Sequence, residues 1–125
     1  VSGARTLLRD LRSVTALPVR FALDVGHALY RPLYGEGASL APWLALGDGI
    51  GLVHLQQTDG MTDSHWGFTR PGVVDVRGVA EQVRAAGLEL PLILEVFYPF
   101  EQDDVQVRRD IISSVNHCRR ALGDA

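Results

Sequence analysis

The sequence predicts an α/β fold in which helices alternate with strands and the strands lie parallel. Three short apolar runs, residues 19–25, 50–56 and 91–97, have the length and composition of buried strands. Helical patterns precede, separate and follow these runs, which gives the order αβαβαβα and favours a parallel sheet. The runs are almost wholly apolar, as expected when both faces of a parallel sheet are covered.

The elements of the first half are predicted from the spacing of apolar residues and from the positions of glycine, proline and serine. Residues 4–14 repeat leucine and valine at helical intervals and predict a helix. The first strand, 19–25, is followed by a loop rich in glycine and proline over 30–38. Ser39 is placed to cap a short helix that reaches about Leu46, just before the second strand.

The second half opens with a long polar loop, residues 57–74. Asp75 is a good N-cap for the next helix, and Gly87 is placed to end it. The predicted inner face of that helix is Val76, Val79, Ala80 and Val83. A last helix follows the third strand and starts near Asp103 or Asp104. Its predicted buried stripe is Val107, Ile111, Val115, Cys118 and Leu122.

Composition and charge exclude several classes of protein. The 125 residues are 46% hydrophobic and 22% charged, which is typical of a globular domain and not of a disordered chain. A net charge of -3 gives no basic surface for nucleic acid, and no apolar run is long enough to span a membrane. All twelve basic residues are arginine, so no lysine of this chain can form a Schiff base.

The single cysteine and the first residues bear on the cellular setting. Cys118 has no partner for an internal disulfide, which fits a cytoplasmic protein, and we interpret it as a small apolar residue on a buried helix face. Residues 1–5 lack the charged and apolar regions of a signal peptide and include no methionine. We therefore expect the chain to begin within a longer protein.

Each predicted strand ends in a side chain that can ionise or bind a metal. Asp24 and His27 stand at the end of the first strand, His54 near the end of the second and Glu95 in the third. Such groups are costly near buried strands unless they are paired or coordinated. Matching positions on parallel strands would bring them together at the C-terminal mouth of a barrel. Their oxygen and nitrogen donors suit Mn²⁺, Mg²⁺, Co²⁺ or Zn²⁺, although each residue could instead be hydrogen-bonded separately.

The long loop adds candidate substrate-binding residues. Gln56 alternates with His54 along the second strand, so it is expected in the same mouth, where it could bind a hydroxyl or carbonyl. His65 and Arg70 could bind a terminal phosphate, although Arg70 could equally face solvent. Trp66 could cover a sugar or simply pack the loop.

Two architectures fit the order of elements, namely a three-stranded piece of a barrel or a small open sheet. Three strands are few for a self-sufficient parallel sheet, which favours the piece of a barrel. The chain shows no internal linker, so residues 1–125 are expected to form one such partial barrel.

Several strings together resemble a known family. They occur in the order of strands six, seven and eight of the xylose-isomerase-like sugar phosphate isomerases and epimerases. The strings are LDVGH at 23–27, VHLQQTDG at 53–60, GVVD at 72–75 and LE at 94–95. The second string, followed by Ser64, His65 and Trp66, most resembles the branch that acts on tetrulose phosphates, the erythrulose 1-phosphate 3-epimerases.

The resemblance implies a fold, a site and an activity. The chain would be the C-terminal portion of a (β/α)₈ TIM barrel, about strands six to eight with their flanking helices. Asp24, His54 and Glu95 would be three of four ligands of a divalent metal ion, Glu95 would also exchange protons with the substrate, and His27 would contact it. The fourth ligand is a glutamate of an earlier strand that this chain lacks.

The implied activity is isomerisation or epimerisation of a small ketose or ketose phosphate through an enediolate. We expect the isolated chain to self-associate, because a partial barrel leaves strand edges unpaired and apolar surface uncovered. We also expect it to be nearly inactive, because the fourth ligand and one of the two acid–base glutamates belong to an earlier strand. Two alternatives stay open. The same barrel could carry another reaction, such as dehydration of a keto-inositol or cleavage of a phosphodiester, or the chain could be a non-catalytic binding or assembly module.

Overall fold

The computed structural model describes residues 1–123, which contain one parallel sheet in the order β1-β2-β3. The strands are β1 (Phe21–Asp24), β2 (Ile50–Leu55) and β3 (Leu92–Leu94). The parallel α/β sheet predicted from the sequence is thus confirmed. Each strand is shorter than its apolar run, because helical or irregular backbone begins at Val25 and after Leu94.

Three helices of ten residues or more flank the sheet. They are α1 (Ser2–Val14), α5 (Val76–Ala85) and α6 (Asp104–Leu122). Asp75 caps α5 by accepting from the Arg77 amide at 3.1 Å, as predicted. Asp103 caps α6 in the same way, through the Val105 amide at 2.8 Å. Gly87 has a φ of 71°, which suits the glycine predicted to end α5.

The segment between β1 and β2 is more helical than predicted. It contains three single-turn helices, α2 (Val25–Ala28), α3 (Arg31–Tyr34) and α4 (Ala41–Leu44), and 3₁₀ turns at Gly35–Gly37 and Gly47–Gly49. The predicted loop over 30–38 was wrong in part, because Pro32 falls in the first turn of α3, where proline is tolerated. The predicted cap was also wrong, since Leu40 rather than Ser39 precedes α4 and makes no side-chain cap.

The core lies between the sheet and its helices. Strand residues that point to this side include Leu23, Val53 and Leu55, which are all buried. They share one cluster with Val76, Val79 and Val83 on the predicted inner face of α5. Ala80, the fourth residue predicted for that face, is also buried. On this side of the sheet, the buried residues thus agree with the alternation along the strands and with the helical spacing in α5.

The stripe predicted for α6 is only partly right. Val107, Val115, Cys118 and Leu122 are partly buried, but Ile111 is 38% exposed. The fully buried position is Ser114 instead. The reason is that this face of α6 contacts polar loop backbone as well as the core, as described below.

The other face of the sheet carries the candidate site residues and is more open. Asp24 pairs with His54, and His54 pairs with Ile93, so the three lie in one row across the strands. Ile93 is 42% exposed, and Ala22 is exposed at the other edge of the sheet. Within residues 1–123, no helix is long and apolar enough to cross a membrane.

Candidate metal centre and surrounding loops

Asp24, His54 and Glu95 converge at the C-terminal ends of the three strands. Asp24 ends β1, His54 is the penultimate residue of β2, and Glu95 directly follows β3. Nδ1 of His54 lies 2.8 Å from Oε2 of Glu95. One donor atom from each of the three residues lies within 4.8 Å of the other two. The structure therefore brings together the three side chains that the sequence singled out as a possible ligand set.

The carboxylate of Asp24 is held by two hydrogen bonds. Its Oδ1 accepts from the His27 amide at 2.8 Å, because Asp24 is the N-cap of α2. The same oxygen accepts from Nε2 of Gln56 at 2.6 Å. The spacing Asp-x-x-His thus has a local cause: the capping turn fixes the aspartate and places His27 beside it.

Gln56 lies in the predicted mouth, but it is 1% exposed. Its nitrogen is already donated to Asp24, and its Oε1 has no hydrogen-bond partner within residues 1–123. The hydrogen bond between Gln56 and Asp24 depends on glycine at position 26, because a Cβ there would lie 2.7 Å from Nε2 of Gln56. In this structure Gln56 therefore supports the aspartate rather than facing open space.

A second group of polar residues surrounds Asp63, which the sequence reasoning did not single out. Its Oδ1 lies 3.0 Å from Nε2 of His27 and 2.9 Å from Nε2 of His65. Asp24, His27 and His65 also form a group whose donor atoms lie within 4.8 Å of one another. The Asp-x-His spacing at 63–65 was the signal that could have pointed to it.

His65 is placed inside the molecule rather than on the loop surface. It is 4% exposed, and its ring stacks on Phe97 with centroids 4.3 Å apart. The Phe97 amide also donates to the His65 carbonyl at 2.9 Å. Nδ1 of His65 lies 3.8 Å from Oε2 of Glu95. Sequence reasoning placed His65 near a phosphate, whereas the structure places it beside the ligand set.

Hydrogen bonds of Gln57, at the start of the loop after β2, connect it to the middle and the end of that loop. Its backbone exchanges two hydrogen bonds with Trp66, at 2.7 and 2.8 Å. Its side-chain oxygen accepts from the Val74 amide at 2.8 Å, and its nitrogen donates to the Val74 carbonyl at 3.2 Å. Farther out, the amides of Met61 and Thr62 donate to Asp59 and lower the pKa of that carboxyl.

Helix α6 clamps the same loop from outside. Oγ of Ser114 accepts from the Phe68 amide at 2.9 Å. Asp110, one turn earlier, accepts from the hydroxyls of Thr69 and Tyr98. Burial and the Asp110 carboxylate raise the pKa of Tyr98, so its hydroxyl stays protonated and donates. The clamp joins the loops after β2 and β3, which carry His65 and Phe97.

Trp66 and Arg70 line a cavity between these two loops. The guanidinium carbon of Arg70 lies 5.4 Å from the centre of the Trp66 ring, within range of a cation–π contact. The cavity has a volume of about 220 Å³. Its lining is aromatic and polar and includes Ser64, Trp66, Arg70, Phe97, Tyr98 and Gln102. Arg70 is exposed, so it can reach a ligand at this opening.

Comparisons with known proteins bear on the fold of the chain. No family model matches the sequence, and no curated protein matches it. A solved structure matches with a TM-score of 0.85 and 40% identity: a protein of Rhodospirillum rubrum ATCC 11170 provisionally named a xylose isomerase. The match covers 94% of this chain and 40% of the other, so this chain spans about two fifths of the length of the protein it matches. The predicted fold class is thus confirmed, since the chain has a parallel α/β sheet and matches a fragment of a xylose-isomerase-like TIM barrel.

Proposed function

We propose that this chain supplies most of the metal site of an enzyme that isomerises or epimerises a small ketose or ketose phosphate. The observation that carries the proposal is the convergence of Asp24, His54 and Glu95 at the ends of neighbouring parallel strands. That edge is where TIM barrels keep their active sites. The similarity to a protein named as a xylose isomerase supports a sugar as the substrate.

The three residues fit a divalent ion by their chemistry. Two carboxylates and one imidazole provide hard oxygen donors and one nitrogen, a set suited to Mn²⁺, Mg²⁺, Co²⁺ or Zn²⁺. His54 and Glu95 are partly buried, which limits competition from water. By resemblance to the sugar phosphate isomerases and epimerases, a glutamate outside this chain would complete the set.

The proposed reaction moves a proton at a carbon next to the substrate carbonyl. A divalent ion held by Asp24, His54 and Glu95 would supply Lewis-acid polarisation of that carbonyl. Glu95 takes the proton from one face of the carbon, and a second acid–base group outside this chain returns one. If that carbon is a stereocentre, return of a proton to its opposite face gives the epimer. If it is the terminal hydroxymethyl carbon, return of a proton to the neighbouring carbon gives the aldose.

Surrounding residues of this chain would hold the substrate. His27 lies beside Asp24 with an exposed ring, which suits contact with a substrate hydroxyl. Arg70 would bind a terminal phosphate at the opening of the cavity, and Trp66 would shield the reacting carbon from water. Gln56 would act through Asp24, since its nitrogen already donates to that carboxylate.

Solvent hydrogen exchange tests this proposal. The complete protein is loaded with Mn²⁺ and incubated in deuterated water with a panel of tetruloses and pentuloses, each with and without phosphate. We expect deuterium to enter a carbon next to the ketone of a phosphorylated tetrulose or pentulose, as followed by NMR. Exchange only with unphosphorylated ketoses would remove Arg70 as a phosphate ligand but keep the reaction. A metal-loaded protein that exchanges no ketose would disprove the proton transfer.

A further inference from the structure

The carboxylate of Asp110, on α6, joins the two loops that line the cavity of Trp66 and Arg70. Its Oδ1 accepts a hydrogen bond from the hydroxyl of Thr69, in the loop after β2. Its Oδ2 accepts one from the hydroxyl of Tyr98, in the loop after β3. Residues of both loops line the cavity, and so does Asp110 itself. Asp110 is therefore a direct link between the two walls of the cavity.

The two hydrogen bonds require a carboxylate at this position. Each oxygen of an ionised carboxylate accepts and neither donates, so both hydroxyls have a partner at once. Burial and the Asp110 carboxylate raise the pKa of Tyr98, so its hydroxyl keeps the proton that it donates. Asparagine has the same shape, but only one of its two polar atoms is an acceptor. With asparagine, one of the two loops would therefore lose its hydrogen bond to α6.

The link to the loop after β2 also determines where Arg70 starts. A Cβ at Gly67 would collide with Asp110, so the loop backbone passes directly against this face of α6. The Arg70 amide donates to the Gly67 carbonyl at 3.2 Å, which closes a turn. Thr69 lies within this turn and is bound by Asp110. The aspartate thus holds the backbone from which the Arg70 side chain projects.

Arg70 needs such support if it is to bind a ligand. It is exposed, and a flexible exposed arginine loses rotamer freedom when it binds. Here its guanidinium carbon lies 5.4 Å from the centre of the Trp66 ring, which limits where it can go. Trp66 is itself fixed by two backbone hydrogen bonds to Gln57. An arginine held in this way is oriented in advance for the paired oxygens of a phosphate.

We propose that Asp110 is a positioning residue that holds Arg70 in place for the phosphate end of the substrate. The inference rests on the proposed function, and it adds a residue of α6 that determines the preference for a phosphorylated ketose. Asp110 acts through Thr69 and Tyr98 and not on the reacting carbon. Its removal should therefore weaken binding of the phosphate end and leave the chemical step intact.

Steady-state kinetics of the complete protein, loaded with Mn²⁺, test this role. The substrates are tetrulose and pentulose phosphates and the same ketoses without phosphate. Asp110→Asn should raise KM for the phosphorylated ketose about 10-fold and leave kcat unchanged, as expected when a binding interaction is lost equally before and at the transition state. Its Mn²⁺ affinity should equal that of the unaltered protein, which a general loosening of the loops would not allow.

A second variant and a control separate positioning from loss of structure. Tyr98→Phe removes one donor of the link and should also raise KM at unchanged kcat. Combined with Asp110→Asn, it should raise KM by less than the product of the two separate increases, because both changes break the same hydrogen bond. The matched control is Asp104→Asn, an exposed acid on the same helix, whose KM and kcat should stay unaltered.

The failure of the inference is distinct from the failure of the proposed function. An unchanged KM in Asp110→Asn and Tyr98→Phe, or a KM that rises only with an equal loss of kcat or of Mn²⁺ affinity, would overturn the inference alone. Turnover of unphosphorylated ketoses only would also overturn it and keep the reaction. An unaltered protein that turns over no ketose would overturn both. If Asp110→Asn does not fold, the same measurements on Tyr98→Phe decide.

Discussion

At the scale of single residues, the lack of a Cβ at Gly26 allows Gln56 to support the proposed ligand Asp24. Gly26 leaves the space through which Nε2 of Gln56 reaches Asp24, at 2.6 Å. Any side chain at position 26 would push Gln56 away and leave its amide buried without that partner. Because the carboxylate would lose one of its two hydrogen bonds, its orientation toward the site would also be less defined.

We therefore predict that Gly26→Ala lowers the Mn²⁺ affinity of the complete protein by about 10-fold or more, as expected for the loss of an outer partner of a ligand. Titration calorimetry measures this directly. Gly3→Ala is the matched control, because a Cβ at Gly3 meets no atom within 4 Å and the position lies in α1. Its affinity should stay unchanged, and an equal loss in both variants would contradict the mechanism.

The sequence predicted that the strand-end side chains lie close together, but it did not predict how the loop after β2 packs. Asp24, His54 and Glu95 could be placed because strand ends and parallel order determine where they meet. His65 was predicted at a phosphate, and Asp63 was missed. Their positions depend on a left-handed turn at His65 and on stacking with Phe97, which no periodicity encodes.

At the scale of elements, α6 holds the loop after β2 through its polar face. Ser114 accepts the Phe68 amide, and a Cβ at Gly67 would collide with Asp110 and Ser114. The helix therefore needs small and polar residues beside the apolar stripe that the sequence pattern predicted. For α5 the pattern was sufficient, because Val76, Val79 and Val83 of its inner face pack in the apolar core.

Removing the Ser114 hydroxyl should destabilise the protein. Ser114→Ala leaves the buried Phe68 amide without an acceptor, which costs about 1–3 kcal/mol in the free energy of unfolding. Ser113→Ala is the matched control on the exposed side of the same helix and should change stability by less than about 0.5 kcal/mol. Urea denaturation measures both. Equal effects would show that the hydroxyl of Ser114 does not anchor the loop.

At the scale of the whole molecule, the sheet has open edges. Within residues 1–123, β1 and β3 each pair with β2 alone, and Ile93 is 42% exposed on the face that carries the site. In the matching protein, this chain corresponds to 40% of the length. The sequence indicated a partial barrel from its few strands, but it holds no information on the segments that would cover these edges.

We predict that the isolated 125-residue chain self-associates and has little turnover. Unpaired strand edges and exposed apolar side chains favour contact between copies, and one acid–base group of the proposed reaction is missing. Light scattering over a range of concentrations should show a rising apparent mass. A monodisperse, cooperatively folding and fully active monomer would contradict the interpretation as a partial barrel.

The half-buried thiol of Cys118 has a practical consequence for following the motion of α6. It packs against the core cluster, and burial raises its pKa, so the reactive thiolate is scarce while the helix is docked. Because Cys118 is the single cysteine of the chain, a thiol reagent reacts with the chain at this position of α6 alone. Its rate of alkylation should therefore rise when α6 leaves the core, which makes Cys118 an internal probe of the helix that holds the loop after β2.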